Sequence, residues 1–236
     1  MIYLTSDIHG YSYEKYMAML EKAKFGKTDY LYVLGDVIDR GDDGITILKW
    51  MINQPNVKLI LGNHEAMMLS CEYIFQKINQ ETIASLNQDK MSLLNTWQFN
   101  GAAPTLKGLI SLTKEEREGI LEYLHEAPLY DAITVNGKDY LFTHSGIGHF
   151  DVNKRITQYT ANDLLWNRPK LDMRYYDDIT VVFGHTPTVK YGKQYAGRIL
   201  KTDTWVNIDT GAACGYYPML LCLDTMQEFY ADRMEI

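Results

Sequence analysis

The chain has 236 residues, 46% apolar and 22% charged, a size and balance that fit one large α/β domain, here 1–236, and exclude an intrinsically disordered chain. Its 23 Lys and Arg against 30 Asp and Glu give a formal charge of −7, which argues against a duplex nucleic-acid surface. Cys71, Cys214 and Cys222 form no CxxC pair and leave an odd count, so neither a disulfide framework nor a zinc ribbon is suggested, and they read as small core residues in a reducing compartment.

The opening MIYLTSDIHG lacks the basic region of a signal peptide, and no run approaches the roughly 18 apolar residues of a membrane span, so a cytoplasmic protein with no membrane partner is expected. From the N-terminus, IYLTS, YLYVLG and VKLILG read as strands. YSYEKYMAMLEKA, GITILKWMINQ and a stretch beginning at Glu65 read as helices. Strand and helix alternating at this spacing predict βαβ units with parallel strands. The polar, Asn/Gln-rich region at about 75–112 is expected to be a helical insertion. TKEEREGILEYLHEAP is expected to be an amphipathic helix with Thr113 as N-cap, Glu116 completing a capping box and Pro128 as the stop. Beyond it the short runs LYDAITVNGKDYLFTHS, DITVVFGH, WVNIDTG, YPMLLCLDT and QEFYAD suggest a second, more antiparallel sheet, with Asn136-Gly137 supplying a hairpin turn.

Five of these apolar runs end alike, in polar residues one or two positions past the strand. They deliver Asp7 and His9, then Asp36 with Asp39 and Arg40, then Asn63 and His64, then His144, then His185. Ligands in open α/β sheets sit at the carboxyl ends of strands, so these tips can converge. Gly35, Gly62 and Gly184, with Ser6, let the chain turn sharply and let other groups approach closely. A lone DxH or GNHE would read as a cap or a surface feature, whereas five tips holding four of the six histidines would not. Asp7, His9, Asp36, Asn63, His144 and His185 offer oxygen and nitrogen donors without thiolate, which suits manganese, iron or zinc. Six ligands are too many for one open catalytic ion. Two ions sharing a carboxylate fit better, an arrangement used in phosphoryl hydrolysis.

SDIHG, GDVIDRG and GNHE, followed by THSG and FGHT, resemble the signature blocks of the phosphoprotein phosphatase family of calcineurin-like metallophosphoesterases. The order and rough spacing match from Asp7 to NIDTGA at 207–212, with Ser6 replacing a glycine. GNHEAMM, TWQFNGAAPTL and LLWNRP look like its bacterial and lambda-phage branch. The resemblance implies two mixed β-sheets packed as a sandwich flanked by helices. It implies two divalent ions, manganese foremost, with Asp7, His9 and Asp36 on the first and Asn63, His144 and His185 completing the second, bridged by Asp36. It further implies His64 as general acid held by Asp39, and Arg40 with Arg168 on the phosphate, Arg155 being the alternative to Arg168. The implied activity is hydrolysis of phosphoserine and phosphothreonine in proteins through metal-activated hydroxide. The alternatives are a bis(5'-nucleosyl)-tetraphosphatase, a small-molecule phosphatase and, with ligands lost, a binding scaffold. Glu65 is assigned to the first turn of its helix, where the macrodipole favours an acid. His125 is expected to meet carbonyls at its helix end, and His149 to be an exposed loop residue.

Overall fold

The computed structural model describes residues 1–76 and 86–231. Strands β1 (Ile2–Thr5), β2 (Tyr30–Val33) and β3 (Val57–Leu59) pair in parallel, with helices α1 (Tyr13–Lys22) and α2 (Gly44–Ile52) as crossovers. The residues explain the pairing through a period of two. Tyr3, Leu31, Val33, Val57 and Leu59 face the helices, while Leu4, Tyr32, Leu34 and Ile60 enter a different apolar layer. Across that layer lies a second sheet built from β4 (Tyr130–Val135), β5 (Lys138–Thr143), β6 (Ile179–Phe183), β7 (Leu200–Lys201) and β8 (Trp205–Asn207), in the order β4-β5-β6-β8-β7. Phe142, Val182 and Val206 fill the shared layer, and the Tyr32 and Phe142 rings meet at 4.9 Å between centroids. The expected sandwich of two mixed sheets is therefore present.

The composition of the second sheet differs from expectation. β5, β6 and β8 run parallel, because long crossovers join them, and antiparallel pairing is confined to β4 with β5 and β7 with β8. The last two runs, β9 (Met219–Cys222) and β10 (Gln227–Tyr230), return to the first sheet, where β9 lies antiparallel to β1. Both crossovers α1 and α2 build outward from one side of β1, leaving its other edge to be paired. Asn136 and Gly137 take positive φ of 50° and 75°, as a two-residue hairpin requires.

Helices Gln88–Phe99 and Ala103–Ile110 occupy part of the expected insertion, and residues 77–85 lie outside the described residues. The helix Lys114–Glu126 carries the expected capping box, with Glu116 N–H donating to Thr113 Oγ1 and Thr113 N–H to Glu116 Oε2. At its other end His125 Nε2 bonds Glu72 Oε2 at 2.8 Å, a partner distant in sequence, instead of the helix carbonyls. Among the described residues no helix is long and apolar enough to cross a membrane.

Helix α3 (Asn63–Ser70) begins two residues before the expected start, with extended Gly62 as N-cap, so Asn63 and His64 fall in its first turn. Glu65 does more than complement the helix dipole. Its fully buried carboxylate accepts N–H groups from Asp36 and Val37 at 2.8 Å, Gly62 at 3.1 Å and Ile38 at 3.3 Å. It thereby ties the turn after β2 to the turn after β3. Glu65→Ala should lower the unfolding free energy by at least about 3 kcal/mol in urea denaturation, since each buried donor left unmet costs ~1–3 kcal/mol. Glu65→Gln should lose less, because its amide keeps one accepting oxygen.

Candidate active site

The five strand ends meet in a cleft of about 480 Å³ at one edge of the sandwich. Asp7, His9, Asp36, Asn63, His64 and His185 line it together with Arg40 and Arg168, and fully buried His144 sits behind Asn63 and His185. The turns that bring them there are conformationally costly. Asp7, His9, Asp36, Asp39, Arg40 and His185 all have positive φ, between 47° and 71°, which costs each on the order of 1 kcal/mol. Backbone bonds between turns hold them: Asp7 N–H to Gly35 O, His9 N–H to Asp36 O and Gly184 N–H to His144 O, at 2.8 to 3.1 Å. Gly35 has φ of 84°, and a Cβ there would lie 2.5 Å from Gly62 Cα. A Cβ on Gly184 would overlap Ser6 Oγ and Asp7 Oδ2.

Hydrogen bonds aim the polar atoms. His9 Nδ1 lies 3.2 Å from Ile38 O and His144 Nδ1 2.7 Å from Leu34 O. An N–H donated to each carbonyl leaves the Nε2 lone pair facing the cleft, the tautomer a metal-binding imidazole needs. Asp7 Oδ2 accepts from the Ser6 hydroxyl and from His185 N–H, so Oδ1 is the atom that lies 3.9 Å from His9 Nε2. The serine in the first block thus orients its neighbour. Asp36 divides its oxygens, Oδ2 at 3.7 Å from His9 Nε2 and Oδ1 at 3.4 Å from His144 Nε2. It belongs to both groups of three side chains whose ligand atoms fall within 4.8 Å, one with His9 and His64, the other with His144 and His185. His144 Nε2 also lies 2.8 Å from Asn63 Oδ1 and 3.2 Å from His185 Nδ1. His185 Nε2 is buried without a hydrogen-bond partner among the described residues.

The electrostatics agree with a cation site. Burial raises the Asp36 carboxyl well above its usual range, an effect His64 opposes and Asp7 reinforces. Burial also raises Asp209, which lines the same cleft, with the Asp7 charge adding to it. Burial lowers His9 and His185, helped by His64 and His144 respectively, so both imidazoles stay neutral. Crowded carboxylates and neutral imidazoles fit a pair of divalent cations.

Beside them His64 Nδ1 lies 2.6 Å from Asp39 Oδ2. Burial alone would lower His64, but the Asp36 charge and the bond to Asp39 outweigh it and raise the imidazole above its ordinary value. Arg40 reaches His9 Nε2 and His64 Nε2, each at 3.1 Å. Arg168 Nη1 donates to His185 O at 3.1 Å and Thr186 Oγ1 at 3.3 Å, whereas Arg155 lines a separate cavity against the β4–β5 hairpin. Cys214 departs from the core role expected of it, being exposed at the cleft, while Cys71 and Cys222 are buried. Exposed His149 donates its Nδ1–H to Asp163 Oδ1 at 2.7 Å and takes no part in the cleft.

Sequence reasoning gave no role to Trp97, Thr105, Asp209 or Lys190. Trp97 and Thr105 reach Asp39, and the other two line the cleft. The stretches TWQFNGAAPTL and NIDTGA held the signal for the first three, and Lys190 carried none.

The family model described as calcineurin-like phosphoesterase matches residues 1–209. The chain belongs to that family. This phosphoesterase is 28% identical over 226 residues to serine/threonine-protein phosphatase 2 of Salmonella typhimurium, a match covering 90% of this chain and 88% of that protein. It is 30% identical over 173 residues to the symmetrical bis(5'-nucleosyl)-tetraphosphatase of Wigglesworthia glossinidia brevipalpis, covering 72% of this chain and 50% of that one. A Buchnera aphidicola tetraphosphatase matches at 39% over 70 residues, only 25% of its length. The solved structure of a candidate diadenosine tetraphosphatase superposes with a TM-score of 0.67 at 15% identity, covering 100% of this chain and 94% of that one, and shares the fold. Gly184→Ala should push Asp7 aside and weaken divalent-ion binding by about 10- to 100-fold, the usual effect of disturbing a ligand's supporting contacts, measured by titration calorimetry with Mn²⁺.

Proposed function

We propose that this phosphoesterase is a metal-dependent phosphatase acting on phosphomonoesters, with phosphoserine and phosphothreonine in proteins as its substrates. One observation carries the reading: a single cleft in which Asp36 is shared between two groups of nitrogen and oxygen donors, beside the buried His64–Asp39 pair. Asp7, His9 and Asp36 would hold one ion, and Asp36, Asn63, His144 and His185 another, with manganese first and iron or zinc as alternatives. Bound divalent ions supply Lewis-acid chemistry, neutralising phosphoryl oxygens and making water nucleophilic near neutral pH. The protein supplies the rest. Arg40 and Arg168 hold phosphate oxygens, a task suited to the planar guanidinium fork, and Arg168 arrives already anchored on His185 O and Thr186 Oγ1. His64 keeps its Nδ1–H on Asp39 and gives its Nε2 proton to the leaving-group oxygen as the P–O bond breaks. Residues 1–236 would act as one catalytic domain in the cytoplasm, where the free thiols Cys71 and Cys222 are at home.

The protein substrate is favoured by the Salmonella phosphatase, whose match runs over nearly all of both chains. A dinucleoside tetraphosphate is the second reading. The tetraphosphatase relatives favour it, as does Lys190, which joins Arg40 and Arg168 at the cleft and could neutralise a further phosphate. Metal-stripped protein should turn over neither a phosphoserine peptide, read as phosphate, nor diadenosine tetraphosphate, read as nucleoside diphosphate, and Mn²⁺ should restore turnover. A phosphoserine peptide should then be hydrolysed faster than diadenosine tetraphosphate. The reverse order would favour the second reading, and unchanged turnover after stripping would sink both. His64→Asn should lower kcat on the peptide by about 10²- to 10⁴-fold, the usual worth of a general acid.

A further inference from the structure

We propose that Trp97 and Thr105 are positioning residues for proton donation by His64, an assignment that rests on the general-acid role given to His64 above. Both lie outside the strand-end turns, Trp97 on helix Gln88–Phe99 and Thr105 on helix Ala103–Ile110. Both are almost wholly buried, and both converge on one carboxylate. The Trp97 indole Nε1–H donates to Asp39 Oδ2 at 2.9 Å, the same oxygen that faces His64 Nδ1. The Thr105 hydroxyl bonds Asp39 twice. It accepts Asp39 N–H at 2.9 Å, and it donates its own proton to Asp39 Oδ1 at 2.6 Å.

This pair of hydrogen bonds at Thr105 decides the direction of the network. A hydroxyl has one proton, and here it goes to Oδ1. The Trp97 indole can only donate. Asp39 is therefore an acceptor at both oxygens, fully buried, and its carboxylate plane is fixed by groups on either side. The partner bond to His64 must then carry its hydrogen on Nδ1, which orients the ring with Nε2 toward the cleft. Asp39 itself stands at φ of 69°, and capture of its N–H by Thr105 helps hold that turn. Loss of either donor frees the carboxylate to rotate and the imidazole with it. The proton then misses the leaving oxygen, which matters only when that oxygen is a poor leaving group.

The test uses the Mn²⁺-loaded full chain and aryl phosphates graded in leaving-group basicity, from p-nitrophenyl to phenyl phosphate, with metal content measured for every variant. Thr105→Val and Trp97→Phe should each lower kcat on phenyl phosphate about tenfold, the worth of a hydrogen bond to a charged group. On p-nitrophenyl phosphate the loss should stay below about threefold, because that leaving group needs little protonation. Thr105→Ser, which keeps the hydroxyl, should retain the wild-type dependence. If both esters fall together, or Thr105→Ser behaves like Thr105→Val, the residues are structural and the assignment is overturned. If His64→Asn steepens the dependence but Trp97→Phe and Thr105→Val do not, the general acid stands and this assignment alone falls. If His64→Asn leaves the dependence unchanged, the general-acid reading falls and takes the assignment with it. The nearly isosteric Thr105 pair decides the matter if Trp97→Phe fails to fold.

Discussion

A buried carboxylate needs donors around it, and Glu65 finds four of them in the main chain at the ends of β2 and β3. An ionised group in the interior without such partners would cost several kcal/mol, whereas charge-assisted bonds to N–H groups convert it into a clamp. The clamp closes from the other side as well, because Asp36 Oδ1 accepts His64 N–H at 3.0 Å. Each turn thus holds the other. The strained backbone at Asp36 and the first turn of α3 are two parts of one cross-laced unit, and the residues that shape the cleft depend on it.

The same economy governs the charges inside the cleft. Asp7, Asp36 and Asp209 are brought together in a place with little solvent, and the cationic side chains at hand, Arg40, Arg168 and Lys190, line the cleft beside them. Ser6, His185 N–H and the Asp209–Gly211 turn spend the outward lone pairs on hydrogen bonds. What is left over faces imidazole nitrogen, Asp7 Oδ1 and Asp36 Oδ2 toward His9 Nε2 and Asp36 Oδ1 toward His144 Nε2. Such a site is stable as a fold because its backbone is over-determined by bonds between turns.

Much of this was legible in the sequence wherever a feature depended on nearby residues. The Thr113–Glu116 box, the Asn136-Gly137 turn and the polar strand ends are local patterns, and each appears where its spacing put it. What stayed hidden depends on partners far along the chain. Glu65 looked like any acid in a first helical turn, and only the distant turn at 36–38 reveals its function as a clamp. His125 met Glu72, 53 positions away, in preference to carbonyls of its own helix. The antiparallel return of β9 beside β1 joins residues more than 200 positions apart, and short apolar runs carry no mark of which sheet they will join. Trp97 and Thr105 could be seen as part of TWQFNGAAPTL, a stretch that resembles the bacterial and phage branch, but not as neighbours of Asp39.

The cleft draws its donors from both sheets, Asp7, His9, Asp36 and Asn63 from the first, His144 and His185 from the second. Its dimensions are therefore set by how the two sheets seat on each other. The apolar layer of Leu4, Tyr32, Phe142 and Val182 acts as the spacer of a measuring instrument, setting the gap across which the polar cluster is strung. Close-packed interiors resist compression and transmit displacement, so a change of one methylene in that layer arrives at the cleft as a shift of one half of the donor set against the other. Side chains that look like plain packing thus share in the tolerance to which the polar centre is built.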